Sequence, residues 1–293
     1  EFKGTNKGKL KLKDILIHES GLKSWIPFYL SALELGFDSL FKYQQNDTFC
    51  IRTANNLYMN KVYKDTIWKM ITESEVKEEP KYTYSDLGYY FFQKIVERIT
   101  GKGIDAYLKQ NFYDRMDLKN TCFNPILNKD KNNIIPTEHD KVFRKQVIHG
   151  YVHDPGAAMF GGVAGHAGLF SNAKELAIIG QMLLNGGEYG GEKFIKSATI
   201  EKFTAKQKSG SRRGLGFDKP SLKSDKGPTS GFASYKTFGH TGFTGTCIWV
   251  DPKYDIIYVF LSNRVHPSAS PNKLANNNIR TKIQDVIYES IQN

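Results

Sequence analysis

Apolar residues at Leu87, Phe91, Ile95 and Ile99 recur at helical spacing behind the break formed by Pro80 and the polar run Lys81 to Thr83. That pattern predicts a helix opening near Ser85, with the Ser85 hydroxyl as its cap. Similar reasoning predicts a short helix up to His18, helices over Tyr63 to Thr72 and around Ile104 to Tyr113, and a helix over Glu175 to Leu184 capped by Ser171. A closing amphipathic helix is expected on Ile279, Ile283, Val286, Ile287 and Ile291. The period changes after Gly214. Phe238 to Val250 reads as one strand, rich in small, β-branched and aromatic residues, then come the turn Asp251 to Asp255 and the strand Ile256 to Ser262.

Two stretches lack a clear period: a tyrosine- and asparagine-rich excursion from Trp25 to Asn60, and a polar loop from Asn124 to Asp140 that contains Pro125 and Pro136. The second is a candidate lid over a cleft. Strands gathered late around helices gathered in the middle imply an α+β fold, an antiparallel β-sheet flanked by helices with a helical subregion. No internal repeat is visible, and one interrupted domain accounts for the order, its helical part over about 12–200 and its sheet part over about 214–293.

Composition narrows the function classes. With 293 residues, 40% of them hydrophobic and 13% aromatic, the chain can bury a sizeable core. Three cysteines, Cys50, Cys122 and Cys247, are odd in number and widely spaced, so neither a disulfide framework nor a zinc knuckle is indicated. No apolar run approaches a membrane span, and no signal peptide is visible. A net charge of +11 favours anionic surroundings such as a cell envelope. The 41 lysines and arginines are dispersed, their short cluster Lys206 to Arg213 falls in a loop, and no nucleic-acid fold motif is present.

Two motifs carry chemistry. Tyr84-Ser85-Asp86 stands at a loop-to-helix corner, where a tyrosine beside a cationic lysine can exchange protons with a serine nucleophile and a leaving group. Far downstream, His240-Thr241-Gly242-Phe243 sits in the glycine-bearing strand, and glycines in an edge strand suit close approach of a carbonyl to strand N–H groups. A third cluster, His149, His153 and His166 with Asp154, has spacing that would hold a metal on a helix; Gly150, Pro155 and Gly156 argue for a loop and for polar groups facing a cleft. No metal or other cofactor is expected.

In order and spacing these pieces resemble the serine β-lactamase and penicillin-binding-protein superfamily, in particular the class C β-lactamase-like esterases and amidases. The segment Leu12-Lys13-Asp14-Ile15-Leu16-Ile17-His18-Glu19-Ser20-Gly21-Leu22 resembles that family's leucine-rich His-x-Ser-Gly-Leu segment, and Gly161 to Ser171 its Ala-Gly-Gly-Leu turn. The stretches Gly150 to Ala158 and Asn185 to Gly191 are similar to bacterial domains fused behind β-N-acetylglucosaminidases and to N-acetylmuramyl-L-alanine amidases. Two positions depart from the pattern. The tyrosine motif ends in Asp86 where the family has Asn, and the last motif begins with His240 where the family has Lys, replacing a fixed cation with a group mostly neutral at pH 7.

The family's nucleophile lies in Ser-x-x-Lys. Three matches occur, at Ser20, Ser74 and Ser171, and none has the setting of a serine opening a long buried helix. The expectation is therefore that the first strands and the nucleophile helix precede this sequence, and that the chain alone is inactive. The resemblance implies a serine hydrolase acting on an amide or ester of a small-molecule or peptidoglycan-fragment substrate at the cell envelope. Tyr84 would shuttle protons, the N–H of Phe243 would form half of an oxyanion hole, and His240, Thr241, Gly242, Asp86, His153 and His166 would meet the substrate, in a cleft that the family places between sheet and helical part. A non-catalytic module binding cell-wall fragments and a metal-dependent hydrolase are the alternatives; an upstream β-N-acetylglucosaminidase domain is a further implied partner.

Overall fold

The computed structural model describes residues 2–221 and 227–292. Two compact units make up the chain, one of Glu1–Gln110, Cys122–Phe170 and His266–Ser268, the other of Asn111–Thr121, Ser171–Val265 and Ala269–Asn293.

In the first unit, α1 (Leu12–Leu16), α2 (Phe28–Glu34) and α3 (Phe37–Leu40) lead into an antiparallel sheet of order β1-β3-β2, formed by Phe41–Lys42, Phe49–Ala54 and Leu57–Asn60. The sheet lies inside the stretch expected to be irregular. Its strands are too short to print a period, and the hairpin closes at Asn55-Asn56, where Asn56 takes the left-handed backbone (φ 48°) that asparagine tolerates. Helix α4 (Tyr63–Glu73) presents Ile67 and Ile71 to a core with Leu57 and Met59.

Helix α5 (Leu87–Thr100) follows. Leu87, Gly88 and Phe91 are buried, but Ile99 is 78% exposed, so the apolar stripe read from the sequence faces the core only over its first turns. Gly88 is required there, because a Cβ would stand 2.1 Å from Ile15 Cγ2. Ser85 does not cap this helix: Asp86 occupies the N-cap without a side-chain bond, and the Ser85 hydroxyl donates instead to the Lys23 carbonyl at 2.6 Å. A tertiary partner has outcompeted the local one.

After α6 (Ile104–Leu108) and a wide turn over Lys109–Tyr113, the first unit adds two small ladders and a helix. Strand β4 (Cys122–Phe123) pairs with β7 (Leu169–Phe170), and β5 (Pro136–Asp140) with β6 (Gln146–His149). The latter pair corrects the reading of 124–140 as a loop throughout. Helix α7 (Pro155–Met159) is capped by Asp154, whose Oδ1 accepts the Ala157 N–H at 2.6 Å.

The second unit begins its regular structure with α8 (Ala173–Leu184). Asn172, not Ser171, caps it, accepting the Glu175 N–H at 2.9 Å, while the Ser171 hydroxyl pairs with Thr121 at 2.7 Å. A hairpin of β8 (Glu188–Tyr189) and β9 (Glu192–Lys193) turns through Gly190-Gly191, both at positive φ, and α9 (Ser197–Thr204) follows.

The sheet of this unit is antiparallel, of order β10-β11-β12, from Phe238–Thr241, Cys247–Asp251 and Ile256–Phe260. The expected single strand Phe238 to Val250 is thus two strands, folded back at 242–246, where Gly245 has φ 102° and Gly242 donates its N–H to Thr246 O at 2.7 Å. Short α10 (Lys273–Asn276) precedes α11 (Ile279–Gln292).

Helices cover both faces of the sheet. Gly180 of α8 lies against Ile248 and Ile257, and Ile287 of α11 packs with Trp249, Tyr258 and Cys247. On α11 the buried residues are Gln284 and Tyr288, whereas Ile283, Val286 and Ile291 are exposed, contrary to the face predicted from apolar spacing. Hydrogen bonds decide it: the Tyr288 hydroxyl donates to Asp251 at 2.7 Å, and Gln284 accepts the Ser230 N–H at 2.8 Å.

Leu87→Ala should cost about 2–5 kcal/mol, as for a fully buried leucine, while Ile99→Ala should stay within about 0.5 kcal/mol. Urea unfolding of both variants checks the pairing, and equal losses would place the wrong face of α5 in the core.

Candidate active site

Four long-range hydrogen bonds hold Tyr84-Ser85-Asp86 in place. Thr83 N–H donates to the His18 carbonyl at 2.9 Å, Ser85 N–H to His18 Nδ1 at 3.1 Å, Ser85 Oγ to the Lys23 carbonyl at 2.6 Å, and Asp86 N–H to the Ser24 carbonyl at 2.9 Å. His18 is buried, takes φ 60°, and lays its ring against Tyr84 with centroids 4.3 Å apart. Since Nδ1 accepts, the neutral ring carries its proton on Nε2. The Tyr84 side chain is left 44% exposed, on a rigid mount. His18 is the positioning residue that reasoning from spacing missed; the signal was its place in the His-x-Ser-Gly-Leu segment.

Beside this corner Asp86 and His166 line a cleft of about 40 Å³ together with Trp25, Tyr29, Tyr90, Asp154 and Gly156. His166 Nε2 donates to Asp154 Oδ1 at 2.9 Å, and its ring lies tilted against Tyr90 with centroids 4.5 Å apart. Burial would raise the Asp154 carboxyl, but the bonds from His166 and the Ala157 N–H hold it below the ordinary value. Asp86 goes the other way: burial, with Asp154 nearby, raises its carboxyl despite His166. Tyr90 is raised well above the usual tyrosine value by burial and by the two aspartates.

His153 does not join them in lining the cleft. Its Nε2 lies 3.2 Å from Glu138, and its carbonyl accepts from buried Arg144 at 2.8 Å. His149 bonds the Ile134 carbonyl through Nε2. The three histidines thus take three different partners, and among the described residues no group of three or more His, Cys, Asp or Glu is arranged to hold a metal.

In the second unit His240 and Thr241 end edge strand β10, and Gly242 and Phe243 begin the turn. Arg213 Nη1 stands 3.1 Å from His240 Nε2, and His240 Nδ1 lies 2.7 Å from the Thr241 carbonyl. A guanidinium can only donate and a carbonyl can only accept, so the ring is fixed as the neutral Nδ1–H tautomer. Burial first, then Arg213 and Arg212, lower its pKa, against the Thr241 carbonyl and Asp218, which raise it. The positive charge that the lysine would carry sits behind the strand: Arg212 bonds Asp218 through two nitrogens at 2.6 and 3.1 Å, and Arg213 lies 3.6 Å from the same carboxylate. Two guanidinium groups share one aspartate. Phe243, 66% exposed, has Arg264 over its ring and bonded to its carbonyl at 2.9 Å. The arginine pair was visible in the sequence only as the end of a basic loop.

None of the Ser-x-x-Lys matches opens a buried helix. Ser20 is buried before Gly21 at φ 79°, Ser74 donates to Ile71 O at the end of α4, and Ser171 pairs with Thr121.

A family model described as Beta-lactamase matches residues 1–280. The chain belongs to the β-lactamase family. It is 32% identical over 307 residues to an N-acetylmuramyl-L-alanine amidase of Bacillus subtilis (strain 168), covering 98% of this chain and 65% of that protein. It is 38% identical over 224 residues to a protein of Escherichia coli (strain K12) named "Putative D-alanyl-D-alanine carboxypeptidase", covering 71% and 51%. The chain therefore spans between about half and two thirds of the length of these relatives. Among solved structures, simvastatin synthase from Aspergillus terreus matches with TM-score 0.62 at 14% identity, over 98% of this chain and 70% of that one. A penicillin-binding protein homologue from Caulobacter crescentus matches with TM-score 0.55 at 17% identity, over 90% and 68%. These likenesses establish the α+β fold expected from the sequence.

Two measurements test the electrostatics. Because the Asp86 pKa is raised in the fold, its contribution to stability is present below its ordinary value of 3.8 and is lost as pH rises, so at pH 7 the charged form is a cost. Asp86→Asn should raise the melting temperature by about 2 °C, the response of a large domain to ~1 kcal/mol; a lower melting temperature would refute the assignment. His240 behaves oppositely, its lowered pKa giving stability present above 6.5 and lost as pH falls. Between pH 7.5 and 5.5 the native chain should lose more stability in urea than His240→Asn, and parallel losses would show that His240 is not held neutral.

Proposed function

We propose that the chain forms part of a serine hydrolase that cleaves an amide or ester bond in cell-wall-derived peptide fragments. The observation that carries this reading is the half-exposed Tyr84, mounted by buried His18 at the entrance to α5. An acid–base group must keep one geometry while its proton moves, and that mount supplies it. The names of the amidase and carboxypeptidase relatives support the substrate class.

In this reading a serine Oγ attacks the carbonyl carbon as Tyr84 accepts its proton, and the C=O electrons move to an oxyanion that backbone N–H groups bind. Collapse expels the leaving group, which takes the proton back from Tyr84. Water then repeats the sequence on the acyl-serine. The nucleophile is assigned to a Ser-x-x-Lys outside residues 1–293, since the three matches within them are buried or engaged in capping and pairing. In the first unit Asp86 and His166 face the substrate; in the second, neutral His240, backed by Arg213, replaces the family's lysine with a more diffuse positive site. Work at the cell envelope agrees with a charge of +11, and among the described residues no helix is long and apolar enough to cross a membrane.

The test uses the full-length protein with a muramyl-L-alanyl peptide and with a peptide ending in D-alanyl-D-alanine, following product release. Tyr84→Phe should lower kcat by about 10²–10⁴, and Arg213→Gln should raise KM for a carboxylate-bearing substrate by about tenfold, ~1.4 kcal/mol. Residues 1–293 alone should show no turnover. Hydrolysis by the full-length protein that survives Tyr84→Phe unchanged would overturn the proposal, and binding without any turnover would make the protein a non-catalytic module.

A further inference from the structure

The cleft in the first unit offers hydrogen-bond acceptors in excess. Asp86 has no hydrogen-bond or ion-pair partner for its carboxylate among the described residues. Asp154 uses Oδ1 for both the Ala157 N–H and His166, leaving Oδ2 outside both bonds. The His166 side chain is 95% buried by the figure of 5% exposure, and its Nδ1 has no partner among the described residues. With Nε2 committed to Asp154, Nδ1 is the ring nitrogen open to a further contact. Against two carboxylates and this nitrogen, the lining brings the donors of Trp25, Tyr29 and Tyr90, the Tyr90 hydroxyl lying close to Gly156.

Two further features select the kind of donor. The walls are aromatic: Trp25, Phe28, Tyr29 and Tyr90 line the space, and Trp25 is 57% exposed. A cleft of about 40 Å³ has room for a compact head group. An acidic, aromatic-walled cleft also contrasts with the chain's net charge of +11.

We propose that this cleft binds a primary alkylammonium group, the cationic end of a diamino-acid side chain on a peptide. The ammonium's three N–H groups meet Asp86, Asp154 and His166 Nδ1, and its charge lies over the aromatic walls. A cation beside Asp86 would offset the burial that raises its carboxyl. The inference rests on the reading of Asp86 and His166 as substrate-facing, and it names what they face.

The experiment follows binding, not turnover. An N-acetylated tripeptide with one lysine, and the same peptide with that lysine Nε-acetylated, are titrated into the protein while the indole N–H of Trp25 is observed by ¹H–¹⁵N correlation, its resonance assigned with Trp25→Phe. The free-ammonium peptide should shift that signal saturably and bind at least about tenfold more tightly than the acetylated one, a difference of ~1.4 kcal/mol. Asp86→Asn, expected to fold with undiminished stability, should remove that preference. Equal affinity of the two peptides, no saturable shift, or a preference that survives Asp86→Asn overturns the ammonium site. Failure here with Tyr84-dependent hydrolysis intact would leave the hydrolase reading standing, whereas a clear ammonium preference without any turnover would sink the hydrolase alone.

Discussion

The contact between buried His18 and the residues leading into α5 is the constraint on which the candidate chemistry of the first unit depends. Main-chain and side-chain bonds from residues 18–24 to 83–86 join segments more than sixty positions apart, and the Lys77 N–H reaches the Gly21 carbonyl at 3.0 Å in the same seam. Such non-local pairing is expensive in loop-closure entropy and is stable only because the surrounding core, Ile15, Leu22 and Leu87 among it, is closely packed. The seam converts Tyr84 from a loop residue into a fixed one. It also explains why Ser85 abandons its cap and why α5 begins at Leu87 without a side-chain bond at its N-cap.

Charge in the second unit follows a related logic. A lysine ammonium at the start of the last motif would be a point charge; here the chain has a neutral ring held by a buried arginine, with a second arginine and one aspartate completing the group. Buried guanidinium and carboxylate groups persist only where partners are fixed. The sheet under them is fixed by Asp251, which accepts from Ser234 and Tyr288, so α11, the loop before β10 and the β11 strand converge on one carboxylate.

Periodicity in the sequence determined the long helices α4, α5 and α8, the late strands, and hence the α+β class, because each repeats its apolar pattern over enough residues to outweigh chance. The order of Tyr84, the Gly161 to Ser171 turn and His240 likewise fixed the family. Tertiary structure alone decided the rest. The hairpin of β2 and β3 is too short to show a period, the fold-back at 242–246 rests on Gly245 in a conformation closed to other residues, and the inward face of α11 is set by hydrogen bonds of Gln284 and Tyr288 against its own isoleucines. His18 and Arg213 acquired their places beside Tyr84 and His240 by contacts across 66 and 27 positions of chain, pairings that apolar periodicity does not report.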